Sequence, residues 1–129
     1  MRITLYSLLY IFVILLGKLS DIAPGFISTP LRNFELTLRE RIYWCGPGGF
    51  DDAISQDLEK KPEIYSEAYI KRLYNSKPGT EQELNALHHL ILFLDIPTIH
   101  ERVERYAHTK ASTNAKEKAL RILEQSKKW

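Results

Sequence analysis

Leu84 to Ile96 reads LNALHHLILFLDI. Beyond the N-terminal segment it is the one run too apolar to leave a wet face, with five apolar residues in succession from Leu90 to Leu94. A helix that is apolar most of the way round has to be covered on several sides. The stretch therefore predicts a central helix with neighbours packed on it. The fold class that follows is all-α, either a short α-solenoid-like array or an irregular helical bundle. Thr80 and Glu83 have the spacing of a capping box and start this helix. Asp95 and Pro97 punctuate the start of the next.

Working outward, each neighbour shows a helical period and a stop signal. Ser28-Thr29-Pro30 reads as a helix start, a hydroxyl cap with proline in the first turn. Leu31, Phe34, Leu38, Ile42 and Cys45 then recur at spacings of three and four, which predicts one buried stripe, with Arg32, Glu35, Arg39 and Glu40 off its centre. Gly46-Pro47-Gly48-Gly49 ends that helix. Asp51 or Asp52 opens another, with Phe50 stapling onto its first turn, Ile54 and Leu58 on its buried edge, and Lys60-Lys61-Pro62 closing it. Glu63 to Asn75 carries Ile64, Tyr65, Ala68, Tyr69, Leu73 and Tyr74, and Pro78-Gly79 turns the chain. Ile99, Val103, Tyr106 and Ala107 form the stripe of the fifth helix. Ser112 or Thr113 opens the sixth, which buries Ala115, Ala119, Ile122 and Leu123. No stretch alternates cleanly enough to compete as a strand.

A shift of 33 residues places 69–90 on 102–123 without a gap. Arg72 falls on Arg105, Lys77 on Lys110, Thr80 on Thr113, and Ala86, Leu87 and Leu90 on Ala119, Leu120 and Leu123. A period in the thirties made of helix pairs marks an α-solenoid. Leu90 to Pro97, followed by Ile99-His100 and Val103, resembles the middle of a HEAT-type repeat, where an apolar helix ends in an Asp/Pro turn and an amphipathic helix follows. Ala119-Leu120 is similar to the Ala-Leu pair such repeats carry. The resemblance covers about residues 80–125. It departs from the family where Ile99-His100 replaces the usual Val-Arg, and the period is short. It implies a concave surface for a protein partner and no chemistry. An ordinary small bundle with helices of similar length is the competing reading.

The N-terminus carries a different signal. Arg2 precedes the apolar run Ile3 to Gly17, and Lys18 follows. A basic residue and then a mostly apolar run match the n- and h-regions of an export signal. The run falls short of the roughly 20 residues that span a bilayer comfortably. Ala23-Pro24-Gly25 makes a poor cleavage site, because Pro24 separates the small residues and the h-region is distant. A cleaved signal, an uncleaved membrane anchor and a buried core helix are the three readings. The first two place the rest of the chain outside the cytoplasm, periplasmic, secreted or anchored by residues 3–17, with Arg2 favouring an N-terminus that stays inside. They divide the chain into 1–25, signal or anchor, and 26–129, a small α-helical domain.

Net charge is +2 over 129 residues. A balanced surface argues against a nucleic-acid partner, which requires concentrated positive charge to displace counterions. The basic tail from Lys110 is interrupted by Glu117 and Glu124 and reads as a solvated face. The single cysteine, Cys45, excludes an intrachain disulfide and a four-cysteine zinc site, and leaves a free thiol able to pair with another chain.

Three constellations could carry chemistry. Trp44-Cys45-Gly46-Pro47 resembles the opening of a thioredoxin motif, but Gly48 stands where the resolving cysteine belongs and the context is helical. His100, Glu104 and His108 advance by about 40° per step along a helix and are the candidate metal ligands. The zinc-protease pattern needs histidine at Glu104, so a solvated polar face is the preferred reading and no metal or other cofactor is expected. His88 and His89 diverge by about 100° and read as core or rim residues rather than joint ligands. Tyrosine combines contact area with a polar tip. Tyr74, Tyr69, Arg72 and Arg105 are the candidate partner-binding residues. The expectation is a non-catalytic extracytoplasmic protein-binding module, a scaffold or an inhibitor of the immunity type. The alternative is a metal-binding protein or metal-dependent enzyme using the His100/Glu104/His108 face.

Overall fold

The computed structural model describes residues 2–126, with side chains described from Leu5 onward. The described residues form seven α-helices: α1 (Arg2–Ile22), α2 (Gly25–Cys45), α3 (Phe50–Lys60), α4 (Pro62–Asn75), α5 (Glu81–Leu90), α6 (Pro97–Thr109) and α7 (Thr113–Ser126). A 3-10 turn (Ile91–Phe93) follows α5, and no strand occurs among the described residues. The all-α expectation holds, with an apolar helix at the N-terminus.

The chain separates into two compact units, residues 1–58 and 59–129, with the boundary in the last turn of α3. The sequence places a division near residue 25. In the structure α2 packs along α1, within the first unit. Only Ala23 and Pro24 connect them, so the two helices run antiparallel.

The face that α2 buries is the reverse of the expected one. Arg32, Glu35, Leu36, Arg39 and Ile42 are buried. Of the anticipated stripe only Ile42 lies in the core; Leu31 and Leu38 are half-buried, and Phe34 and Cys45 are exposed. Glu35 has 0% exposure and decides the matter. Its Oε1 accepts from Arg32 Nη1 at 2.5 Å and its Oε2 from Arg39 Nε at 2.6 Å. Arg32 also pairs with Asp21 of α1, and Arg39 Nη1 donates to Asp57 Oδ2 of α3 at 3.1 Å. Tyr10 of α1 donates to the same Asp57 oxygen at 2.5 Å. The helix turns its charges inward because each finds an opposite charge there, and its apolar edge remains outside. α2 also starts earlier than the Ser28-Thr29-Pro30 signal implies. It begins at Gly25 after an extended Pro24, and Pro30 lies inside it. Ser28 and Thr29 spend their hydroxyls on the carbonyls of Ser20 and Gly25 instead of capping. At the far end Gly46 is required, since a Cβ there would lie 2.5 Å from the Ile42 carbonyl oxygen.

In the second unit α4 packs on α5, α6 on α7, α4 on α6 and α5 on α7. Its interior mostly follows the periodicity: Tyr65, Tyr69, Leu73, Ala86, Leu87, Leu90, Ile99, Val103, Tyr106, Ala107, Ala115, Ala119, Ile122 and Leu123 are all buried, but in α4 Ile64 is exposed and Ile70, off the expected stripe, is buried. Thr80 caps α5 by accepting from the Glu83 N–H. Glu83 reaches back to the Gly79 N–H at 2.9 Å, where Gly79 has φ +88°. A left-handed glycine before the cap is what lets the carboxylate close this loop.

The decisive stretch is not one helix. α5 ends at Leu90 and the chain tightens into the 3-10 turn. Pro97 holds Ile96 extended, with ψ 116°, so no helix can run on past Asp95 into α6. Leu90, Phe93 and Leu94 enter the core, whereas Ile91 and Leu92 remain half-buried.

Candidate functional site: an apolar groove beside the 3-10 turn

The residues that the break in α5 leaves uncovered line an open groove of about 550 Å³ within the second unit. Ile91, Leu92 and Phe93 come from the 3-10 turn, Pro62 from the first turn of α4, and Ile96 from the residue ahead of α6. Glu59 and Asp95, both exposed, stand beside these apolar side chains. The turn is pinned by its own backbone: the Leu94 N–H donates to Ile91 O and the Ile96 N–H to Phe93 O. The groove therefore has a fixed wall. Beside its two carboxylates, what it offers is shape and apolar surface. Sequence reading missed it by treating the whole run as core. The signal available was Asp95-Ile96-Pro97, which bars one continuous helix and leaves a turn between α5 and α6.

The expected partner-binding residues do not converge. Tyr69 is fully buried, its ring edge-on to His89 at 4.9 Å between centroids, and Arg72 is buried too. Both belong to the interior of the unit and present no surface. Tyr74 is half-buried; its hydroxyl donates to the Arg102 carbonyl, its ring meets Tyr106, and Lys110 Nζ stands 5.1 Å above it. Arg105 alone is well exposed, paired with Glu101 at 3.0 Å. A tyrosine on a helix lends its apolar body to the nearest core when one is available, which is what happened at Tyr69.

His100, Glu104 and His108 share a shallow hollow of about 310 Å³ with Pro97, Glu101 and Arg105. His100 Nδ1 is 4.0 Å from Glu104 Oε2. Among the described residues no three His, Cys, Asp or Glu side chains come close enough to hold a metal ion. Facing alike is not converging: two i, i+4 steps separate His100 from His108 by roughly 12 Å along the axis.

Glu83 is buried and serves the architecture. Tyr106 and the Ser112 backbone N–H donate to its Oε2, Ser112 Oγ and the Gly79 N–H to its Oε1. Burial pushes its carboxyl up, but these hydrogen bonds outweigh that and hold it below the ordinary value. Burial, together with the hydrogen bond to Glu83, raises the Tyr106 hydroxyl well above its usual range. Burial pushes His89 down to about 3, with His88 and Arg72 adding to the effect, so His89 is a neutral core residue. Burial also lowers His88, with Lys118 contributing. Cys45 is exposed at the end of α2 beside Trp44, which stacks edge-on against Tyr43 at 4.8 Å.

Comparison of the chain with protein-family models, curated proteins and solved structures found no match.

Proposed function

We propose that the chain is a non-catalytic module, held on the extracytoplasmic face of a membrane by its uncleaved N-terminal helix, that binds a partner protein through the groove of its second unit. The observation that carries this is the groove. The most apolar run of residues 59–129 keeps part of its surface, Ile91 and Leu92, available on a rigid turn. An apolar concavity of this size fits one or two apolar side chains of a partner segment. The stacking of α4 on α6 and α5 on α7 supports reading the two hairpins as successive units of a helical repeat, the architecture that the 33-residue shift and the HEAT-type resemblance imply.

Retention of α1 has its own support. Leu5–Ile22 is long and apolar enough to cross a membrane, and only 22% of it is buried. Cleavage near residue 25 would remove Asp21, the partner of Arg32, and Tyr10, which shares Asp57 with Arg39. It would also uncover Glu35, and stripping the cover from a buried ion network is costly.

The test is a photo-crosslinking residue at Leu92, compared with one at exposed Thr98, in the native host. A discrete adduct from position 92 that disappears when Ile91→Asp is added supports the groove. Equal adducts from both positions, or none, overturn it. Intact mass with fractionation tests the tether: full length in the membrane fraction supports it, and a soluble product about 25 residues short overturns it.

A further inference from the structure

α1 carries its exposed apolar residues as one stripe: Leu5, Leu8, Ile11, Phe12, Leu15, Leu19 and Ile22. Phe12 meets Phe34 of α2 edge-on, with centroids 6.3 Å apart. Through that contact the stripe continues onto α2. Leu31, Phe34, Leu38 and Cys45 fall within about 60° of one another on the helix, and all four are half-buried or exposed. The apolar period that the sequence announces in α2 is therefore real, and it points outward on the same side as the α1 stripe. Asn33 and Thr37, also exposed, lie about 60–160° round α2 from the stripe, and exposed Arg41 falls at its outer margin, about 20° from Phe34. α3 attaches on the polar side of α1, where Tyr10 meets Asp57 and Phe50. The charges that would obstruct an apolar environment, Arg32, Glu35 and Arg39, are sealed between the helices.

We propose that the α1–α2 hairpin is a membrane-surface module that lies in the plane of one leaflet, with the Leu31/Phe34/Leu38 edge of α2 and the α1 stripe together against lipid acyl chains. This rests on the reading of α1 as the membrane tether. The occupant is lipid because the α2 edge is continuous with the only described helix apolar enough to enter a bilayer. The orientation is in-plane because a transverse hairpin would carry Asn33, Thr37 and Arg41 through hydrocarbon, where exposed polar and charged groups are expensive. In-plane, the polar edge and α3 face water while the joint apolar face is covered, the arrangement of interfacial helices.

Native Cys45 lies on the proposed lipid edge and is exposed, so the unaltered full-length chain can be labelled there with an environment-sensitive fluorophore. Three further chains carry Leu15→Cys, Phe34→Cys or Thr37→Cys, each with Cys45→Ala. All are reconstituted in vesicles of zwitterionic and anionic phospholipid with nitroxide-bearing acyl chains. The expected result is strong lipid quenching at positions 15, 34 and 45, and quenching by aqueous iodide at 37. Position 34 as accessible to iodide as position 37, with position 15 in lipid, overturns the proposal and leaves the tether standing. Position 15 in water overturns both. Position 37 quenched by lipid as strongly as position 34 overturns the in-plane orientation. The Cys45 label needs no substitution, so an iodide-accessible Cys45 counts against the proposal even if the variants fail to fold.

Discussion

The two units of this chain solve opposite problems with the same kind of helix. In residues 59–126 apolar side chains go inward, and among these described residues only Ile64 and Leu120 are exposed large hydrophobics. In residues 1–58 the interior combines buried Val13, Leu36 and Ile42 with an ion network centred on Glu35, while Phe26 (81% exposed), Phe34 (52%) and Trp44 (56%) stand outside, as does the α1 stripe. On the membrane-surface reading proposed above, the difference reflects what each unit treats as its solvent. Water rewards burying apolar surface. Lipid does not, and there the gain comes from pairing polar groups. Alternating the two rules within one chain is economical, since a helix of ordinary composition such as α2 serves either by choosing which face to turn in.

The contrast breaks most severely at Glu35. Glu35→Ala removes the carboxylate that Arg32 and Arg39 share, leaving each only its pairing with Asp21 or Asp57, and removing one partner of such a network costs about 3–5 kcal/mol. Denaturation of the full chain in detergent micelles should show the hairpin transition displaced by that amount, and a shift below 1 kcal/mol would mean the network contributes nothing to the fold.

A smaller effect, confined to the second unit, comes from His89. Its folded value of about 3 lies below the ordinary 6.5, so the unfolded state takes up a proton first as pH falls. That stability is fully present above pH 6.5 and is lost progressively as pH falls toward 3, amounting to about 2 kcal/mol by pH 5. Glu83, also lowered in the fold, acts in the same direction at lower pH. Urea midpoints at pH 7 and pH 5 measure the slope, and His89→Leu should flatten it; an unchanged slope would show that His89 takes up its proton equally in the folded and unfolded states.

The mildest test sharpens the comparison without touching either core. Gly79→Ala places a side chain at φ +88° and should destabilise α5 by about 1–2 kcal/mol, with the hairpin of residues 1–58 unaffected. Separate transitions for the two units, one moved and one not, are the readout.

The second unit was largely legible in its sequence, because its helices obey the rule on which periodicity rests. Val103, Tyr106, Ala115, Ala119 and Leu123 are where the spacing places them. The failures have specific causes. The α2 stripe was read correctly as a stripe and assigned the wrong side, because periodicity reports that a face is apolar and says nothing of what covers it. Pro30 as a start signal failed because α1 and the Ala23-Pro24 turn already set the helix entry upstream. Tyr69 and Arg72 were placed on a surface because their residue types suit interfaces, yet the packing of α4 on both α5 and α6 leaves that side of α4 no solvent. The groove escaped because it depends on where a helix stops, and Pro97 acts on Ile96 rather than on the apolar run itself.

Glu83 has a consequence for how the second unit comes apart. Its carboxylate begins the cap of α5 within a few residues, but Tyr106 and Ser112 complete its ligation from far along the chain. Without them a charge would sit half-solvated at the foot of α5. Neither hairpin is then finished alone, and the expected outcome in hydrogen exchange is that the start of α5 and the corner between α6 and α7 open together rather than fraying independently.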